Sequence, residues 1–204
     1  EARAGVLRVA GFEARAVELD LLDASSITAA LDAAGPIDIL VNNAGVSMPG
    51  PILDETVETF DTVIGANLRG ATLMAVETAR RMRDRQAPGA IVNVASILGL
   101  RQGGHLTTYA ISKAGVVQMT KQLGLELARY GIRVNALAPG YFATDLNRDF
   151  FDEPAGQALI QRIPQRRLGD LDDLSGPLLL LASDASRFVT GIALPVDAGT
   201  LCKV

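Results

Sequence analysis

Strand-like and helix-like segments alternate along this chain of 204 residues, and the alternation constrains the fold more than any other feature. Short apolar runs predict strands at Ala14–Leu19, Ile37–Val41, Ala90–Ala95, Arg133–Ala138 and Ala193–Val196. The segments between them predict helices at Ser25–Ala34, Thr56–Ile64, Leu68–Arg85, Thr107–Tyr130 and Asp170–Ser183, the last broken or bent at Pro177. Such alternation is typical of a parallel sheet covered by helices on both faces. With no repeat or linker visible, we expect one doubly wound α/β domain over residues 1–204.

Composition excludes several classes of partner. The net charge of −4 and the absence of a long basic block argue against a nucleic-acid ligand. No apolar run approaches the length of a membrane span, so no membrane partner is expected. The single cysteine, Cys202, excludes an internal disulfide and favours a reducing compartment, so the sequence predicts a cytoplasmic protein. His105 is the one histidine and lies in no metal-binding pattern; we expect no metal, and an exposed loop position or a substrate contact for His105.

Tyr109 and Lys113 carry the clearest chemical signal. They are four residues apart on a predicted helix, so one turn places both side chains on the same face. A phenol with a pKa of about 10 is a poor base at neutral pH, and a neighbouring ammonium is expected to lower that pKa. Ser96, thirteen residues before Tyr109, adds a hydroxyl that can hold a carbonyl or alcohol oxygen. This set suits proton exchange with a substrate oxygen.

Further motifs follow the predicted strands. Asn42-Asn43-Ala44-Gly45 comes after the second strand, Ser96-Ile97-Leu98-Gly99 after the third and Pro139–Thr144 after the fourth. Asp20 follows the first strand. Ligands of open α/β sheets bind beyond the carboxyl ends of the strands, so these motifs are expected to meet at one edge. Considered singly, the asparagine-glycine segment also suits a plain turn, and Asp20 also suits the charged start of a helix.

In this order and spacing, the motifs resemble the classical short-chain dehydrogenase/reductase family from Phe12 to Asp197. The resemblance implies a Rossmann-like fold and an enzyme that transfers hydride between a nicotinamide cofactor, NAD or NADP, and a secondary alcohol or ketone. Small polyols, sugar acids and 3-oxoacyl compounds are the implied substrates, and Tyr141-Phe142 resembles members that act on sugar acids such as gluconate. The implied catalytic residues are Asn67, Ser96, Tyr109 and Lys113.

The same resemblance implies how these residues work. Tyr109 exchanges the proton, Ser96 orients the substrate oxygen, Lys113 lowers the pKa of Tyr109 and holds the nicotinamide ribose, and Asn67 supports a water relay. The implied cofactor-binding residues are Asp20, Leu21, Asn43, Ala44, Gly45, Tyr109, Lys113, Pro139, Gly140, Phe142 and Thr144, with Asn43 also bracing the sheet. Asn147–Arg162 corresponds to a variable substrate lid in which Arg148, Phe150 and Phe151 are expected contacts. The two long helices resemble those that form family dimers, so a homotetramer or homodimer is expected.

One family feature is not found in this sequence. The family begins with a strand and a glycine-rich turn that binds the cofactor pyrophosphate, whereas Gly5 and Gly11 stand alone here. We therefore expect a fragment that begins within the helix after the second family strand, with the first two strands missing. That missing part would separate NAD from NADP, so no preference is predicted. The alternative function is a cofactor-free binding or scaffold module, or an inactive fragment lacking the pyrophosphate loop.

Overall fold

The first half of the chain forms the elements that build one edge of the sheet. The computed structural model describes residues 1–144 and 148–203, without the side chain of Arg148. Its first elements are helices α1 (Ala2–Val9) and α2 (Ala24–Ala34), strand β1 (Ile39–Asn42) and helix α3 (Val57–Ile64). A π-helical turn, Gly65–Gly70, leads directly into α4 (Ala71–Asp84), which is followed by β2 (Gly89–Val94).

The second half completes the sheet and its helical layers. It contains α5 (Thr107–Leu127), β3 (Ile132–Pro139), α6 (Arg148–Asp152), α7 (Pro154–Ile160), α8 (Ser175–Ala182) and β4 (Ala193–Val196). Short 3-10 turns lie at Ile52–Asp54, Ile97–Gly99, Ala128–Tyr130, Leu171–Leu174, Asp184–Ser186 and Thr200–Cys202. Among the helices of the described ranges, none is both long and apolar enough to cross a membrane.

The described residues form one sheet of four parallel strands in the order β1-β2-β3-β4. Helices cover both faces of the sheet. Neighbouring residues of a strand point to opposite faces, and two neighbours in β2 contact different helices. Ile91 packs with α4 residues and with Leu123 and Leu127 of α5, whereas Val92 packs with Leu181 of α8. The predicted α/β fold with a doubly wound parallel sheet and helices on both faces is therefore confirmed.

The prediction of a strand at Ala14–Leu19 is wrong. This segment has no regular secondary structure, and its side chains are exposed or half-buried. A strand requires a neighbour for its backbone hydrogen bonds, and in the described sheet β1 pairs with β2 and forms the outer edge. Ile39 and Val41 of that edge strand are 51% and 39% exposed. The apolar pattern of residues 14–19 alone therefore did not suffice to form a strand.

Two helix ends follow the sequence signals closely. The 3-10 turn that extends α5 ends at Gly131, whose φ of 71° is the left-handed conformation that glycine tolerates best. The predicted helix at Asp170–Ser183 is broken, as expected, into a 3-10 turn and α8. Pro177 lies in the first turn of α8, where its missing N–H removes no intrahelical hydrogen bond.

Arg133 fastens α8 to the sheet. Its guanidinium donates to the carbonyl oxygens of Leu181 and Ser183 at 2.9 and 3.0 Å and to the Ser186 hydroxyl at 2.7 Å. These carbonyls lie at the end of a helix, where backbone acceptors have no intrahelical partner. A strand side chain thus satisfies the end of the helix that covers it.

Replacing Arg133 with Met is expected to lower the free energy of unfolding by about 2 kcal/mol, because charged hydrogen bonds to partly buried carbonyls are lost. Urea denaturation followed by circular dichroism measures the change. Arg187→Met, an exposed arginine next to the same helix end, is the control and is expected to change stability by less than about 0.5 kcal/mol. Equal losses in both variants would contradict this account of Arg133.

Candidate active site

The candidate catalytic residues meet at the carboxyl edge of the sheet. β2 ends at Val94, and Ser96 follows two residues later, while α5 begins at Thr107 and carries Tyr109 in its first turn. Ser96 is only 7% exposed, and its hydroxyl lies close enough to the Tyr109 phenol to lower the pKa of that group. The Ser96 hydroxyl oxygen also accepts from the Leu98 backbone N–H at 3.1 Å, which fixes its position at the strand end.

Lys113 reaches the same point from the next turn of α5. It is 4% exposed, and its ammonium donates to the Val94 carbonyl oxygen at 2.8 Å. Its Nζ atom lies 5.6 Å from the centroid of the Tyr109 ring. Burial lowers the pKa of Lys113 to about 8, because an ammonium loses its hydration inside the protein. The predicted juxtaposition of Ser96, Tyr109 and Lys113 is present.

The pKa of Tyr109 differs from the expectation. Burial raises it above its ordinary value, because the phenolate is the form that loses hydration, and the hydrogen bond from Ser96 opposes that rise. The lowering expected from Lys113 is therefore not seen in this structure. At neutral pH the phenol is protonated and can donate to an oxygen placed beside Ser96.

Asn67 joins this cluster through the π-helical turn. It is 1% exposed, and its Oδ1 accepts from the Val46 N–H at 2.7 Å while its Nδ2 donates to the Val46 carbonyl at 2.9 Å. Nδ2 also donates to the Ser112 hydroxyl at 3.1 Å. π-Turns recur at functional sites because they redirect a side chain within a continuous helix. Here the turn points Asn67 between the loop after β1 and helix α5.

Asn43, Ala44 and Gly45 lie exposed in the loop after β1. A Cβ atom on Gly45 would lie 2.9 Å from Asn67 Oδ1 and 3.5 Å from Lys113 Nζ, so glycine allows both side chains to approach the loop. The bracing role expected for Asn43 belongs to Asn42. Its Nδ2 donates to the Ala71 carbonyl at 3.1 Å and to Asn93 Oδ1 at 2.9 Å.

Asp20 and Leu21, expected at the adenine ring, lie beyond the irregular segment. The Asp20 carboxylate accepts from the Leu22 N–H at 2.8 Å, and its backbone N–H donates to the Ser26 hydroxyl at 2.8 Å. The side chain of Leu21 packs against Ile27, Leu31 and Met74. Asp20 thus lies three residues before Asp23, the residue that caps α2, and the side chain of Leu21 belongs to a core cluster.

The residues after β3 line a different part of the edge. Gly140 approaches the backbone of Asp197, since a Cβ atom there would lie 2.7 Å from Asp197 Cα. Phe142 is buried and bridges to Gly169, and Thr144 is half-buried. Phe142 also lines a cavity of about 190 Å³ with Tyr141 and Arg167. Pro139 ends β3 beside Val196 of β4.

The remaining expected contacts are distributed as follows. His105 is exposed, with φ of 59°, and its carbonyl accepts from the Gly50 N–H at 2.9 Å. Within the ranges that the structure describes, no group of three potential metal ligands is present. Of the expected lid contacts, Phe151 is buried and Phe150 is 43% exposed, their rings 5.3 Å apart. Asn147 and the side chain of Arg148 lie outside the described residues.

Comparison with known proteins shows the family. Residues 2–200 match the family model described as enoyl-(acyl carrier protein) reductase. L-Rhamnose 1-dehydrogenase (NAD(P)(+)) of Azotobacter vinelandii is 41% identical over 98% of this chain and 82% of its own length. The crystal structure of gluconate 5-dehydrogenase from Burkholderia cenocepacia, with NADP and tartrate, is 37% identical, with a TM-score of 0.95 over 100% of this chain and 81% of that one.

A short-chain type dehydrogenase/reductase from Mycobacterium marinum is similarly close, with 34% identity and a TM-score of 0.93 over 100% of this chain and 82% of that one. The chain therefore belongs to the short-chain dehydrogenase/reductase family. The expected enzyme class, an oxidoreductase that acts on CH–OH groups with NAD or NADP, is confirmed at the level of the family.

Two polar residues of the site had been given no role from the sequence. Ser112, three residues after Tyr109, connects Asn67 to α5, and Asn93 connects Asn42 to the Thr120 hydroxyl at 2.9 Å. In the sequence, Asn93 is a polar residue within an apolar strand, and Ser112 is a polar residue of a helix next to Lys113. Such residues are costly to bury unless they are hydrogen-bonded, which makes them worth noticing in a sequence.

Lys113→Met is expected to raise the free energy of unfolding at pH 7 by on the order of 2 kcal/mol, because the variant buries no ammonium. The folded pKa of about 8 lies below the ordinary 10.5, so wild-type stability rises as pH increases between these values. The advantage of the variant should therefore shrink from pH 8 to pH 10, as measured by urea denaturation.

Lys121→Met, which removes an exposed lysine from the same helix, is the control for this pH dependence. We expect it to leave both the stability at pH 7 and its change with pH close to those of the wild type. A stability difference between Lys113→Met and the wild type that stays constant with pH would contradict a depressed pKa for Lys113.

Proposed function

We propose that this protein interconverts a secondary alcohol and a ketone of a small polyol, sugar or sugar acid with NAD or NADP, using Ser96, Tyr109, Lys113 and Asn67. The observation that carries the proposal is the placement of Ser96 next to Tyr109, beside the buried ammonium of Lys113. Relatives named for L-rhamnose and gluconate support sugars and sugar acids as the substrate class. A 3-oxoacyl substrate remains the second class, because a 3-oxoacyl-[acyl-carrier-protein] reductase of Mycobacterium tuberculosis is 36% identical.

The proton chemistry follows from the two hydroxyls. An oxygen of the substrate that accepts from Ser96 would lie within reach of the Tyr109 phenol, since the two side chains are neighbours. With its pKa raised, the phenol holds its proton at neutral pH and donates it as a carbonyl becomes an alcohol. In the opposite direction Tyr109 must lose that proton, and the adjacent ammonium of Lys113 favours the phenolate.

The described residues fit a nicotinamide cofactor at this edge. The absence of a side chain on Gly45 leaves the loop open between Asn67 and Lys113, and the Lys113 cation suits hydroxyl groups of a ribose. The residues that would hold the cofactor are Asn43, Ala44, Gly45, Tyr109, Lys113, Pro139, Gly140, Phe142 and Thr144, with Asp20 and Leu21 at the adenine side. When bound, the cofactor supplies or accepts the hydride.

Assembly and location complete the proposal. Ile111 and Leu125 of α5 are 49% and 75% exposed, and they lie on a helix that we expect to pair with its counterpart in a homodimer or homotetramer. A cytoplasmic location stays a prediction from the single cysteine.

Tyr109→Phe is expected to reduce turnover at least about a thousandfold while the protein remains folded, because only the proton-transferring hydroxyl is removed. The assay follows nicotinamide absorbance with L-rhamnose, D-gluconate and related sugar acids, each with NAD and NADP. Tyr130→Phe, at a partly exposed tyrosine in the 3-10 turn after α5, is the matched control and should keep wild-type turnover. Near-full activity of Tyr109→Phe would overturn the proposed mechanism.

Gly45→Ala is expected to lower turnover about tenfold or more, because the added methyl group lies 2.9 Å from Asn67 Oδ1 and displaces the amide. Gly50→Ala tests the same substitution five residues further along the loop, where no atom lies within 4 Å of the added Cβ. The same kinetic assay compares both variants. Indistinguishable turnover in the two variants would show that the approach of Asn67 and Lys113 to Gly45 has no role in the reaction.

A further inference from the structure

Ser112 is a buried hydroxyl next to Lys113 to which the proposed mechanism gives no role. It is 0% exposed, and its Oγ donates to the Tyr109 carbonyl at 2.7 Å. The same oxygen accepts from Asn67 Nδ2 at 3.1 Å. One hydroxyl therefore connects the helix turn that carries Tyr109 with the side chain of Asn67.

We propose that Ser112 is a positioning residue that, together with the backbone of Val46, holds the orientation of the Asn67 amide. A serine hydroxyl has one proton to donate, and here the Tyr109 carbonyl, which can only accept, takes it. The Ser112 oxygen must then accept from its other neighbour, so it selects the NH₂ end of Asn67 and rejects the carbonyl end. The hydroxyl thus favours the same orientation of the amide as the Val46 backbone, which bonds to both of its ends.

The orientation of Asn67 has a consequence on the opposite side of the amide. With Nδ2 held by Ser112 and the Val46 carbonyl, Oδ1 faces the Val46 N–H and the open side of Gly45. Lys113 Nζ flanks the same side of Gly45. An oxygen acceptor near the Lys113 ammonium supports proton movement away from Tyr109. An NH₂ group in its place would repel that ammonium. The catalytic effect of Ser112 therefore rests on the proposed function.

A second hydroxyl of α5 provides a matched control. Thr120 is also 0% exposed, donates to the carbonyl of Val116 at 2.8 Å and accepts from Asn93 Nδ2 at 2.9 Å. The chemistry of the two positions is the same, but neither hydrogen-bond partner of the Thr120 hydroxyl is a residue proposed to act on the substrate. Ser112→Ala and Thr120→Val each remove a buried hydroxyl and leave the remaining side-chain shape nearly unchanged.

The kinetic test compares these variants under conditions in which each is folded by circular dichroism. Ser112→Ala is expected to lower kcat about tenfold, with a KM for cofactor within about twofold of wild type, whereas Thr120→Val keeps its kcat. Ser112→Ala added to Asn67→Ala should have no further effect on kcat, because the serine acts through the asparagine. Independent, multiplicative losses in the double variant, or an equal loss of kcat in Thr120→Val, would overturn the inference.

A second readout requires no turnover. Hydrogen exchange of the Val46 amide reports directly on its bond to Asn67 Oδ1. We expect Ser112→Ala to accelerate that exchange about tenfold and Thr120→Val to leave it unchanged. Unchanged exchange in Ser112→Ala would overturn the role of Ser112 even in an active enzyme. Faster exchange in a protein without any NAD- or NADP-dependent turnover would instead refute the proposed function and leave the positioning role standing.

Discussion

The site depends on the burial of the Lys113 ammonium against the last carbonyl of β2. A cation with 4% exposure requires a fixed acceptor, and the Val94 oxygen supplies it at 2.8 Å. This hydrogen bond joins α5 directly to the end of β2. Tyr109, one turn earlier, is then placed beside Ser96 at the end of the same strand. The lowered pKa of Lys113 reflects the hydration that the ammonium loses in this arrangement.

Buried amides hold the elements around that lysine in register. Asn42 and Asn93 are partners in the pairing of β1 with β2, and their side chains bond to each other, to α4 and to Thr120 of α5. The Asn67 side chain likewise joins two elements, because it bonds to Val46 in the loop after β1 and to Ser112 of α5. Unsatisfied polar groups in such positions would be destabilising, so these networks specify one arrangement of strand, loop and helix. Of these networks, the one around Asn67 is in contact with the helix that carries Tyr109 and Lys113 through Ser112.

Periodicity predicted the elements well wherever an apolar segment had a neighbour to pack against. Four predicted strands and all five predicted helices are present, with ends shifted by a few residues. Ala14–Leu19 had the same kind of pattern and formed no strand, because strand formation is decided by pairing at an edge and not by the segment itself. Leu21 shows a similar limit: its side chain packs into a core cluster with Ile27 and Leu31, a contact that its motif position did not predict.

Local sequence by itself determined that Tyr109 and Lys113 share a helix face and that polar motifs follow the strands, since spacing and strand ends are properties of short segments. The tertiary structure decided the pKa values of these two side chains. Burial raises the pKa of Tyr109 although its neighbour is a cation, and the same burial lowers the pKa of Lys113. It also assigned the bracing role to Asn42 in place of Asn43 and gave Ser112 its contact with Asn67. Desolvation and hydrogen-bond partners depend on residues distant in the chain, so only the folded arrangement could fix them.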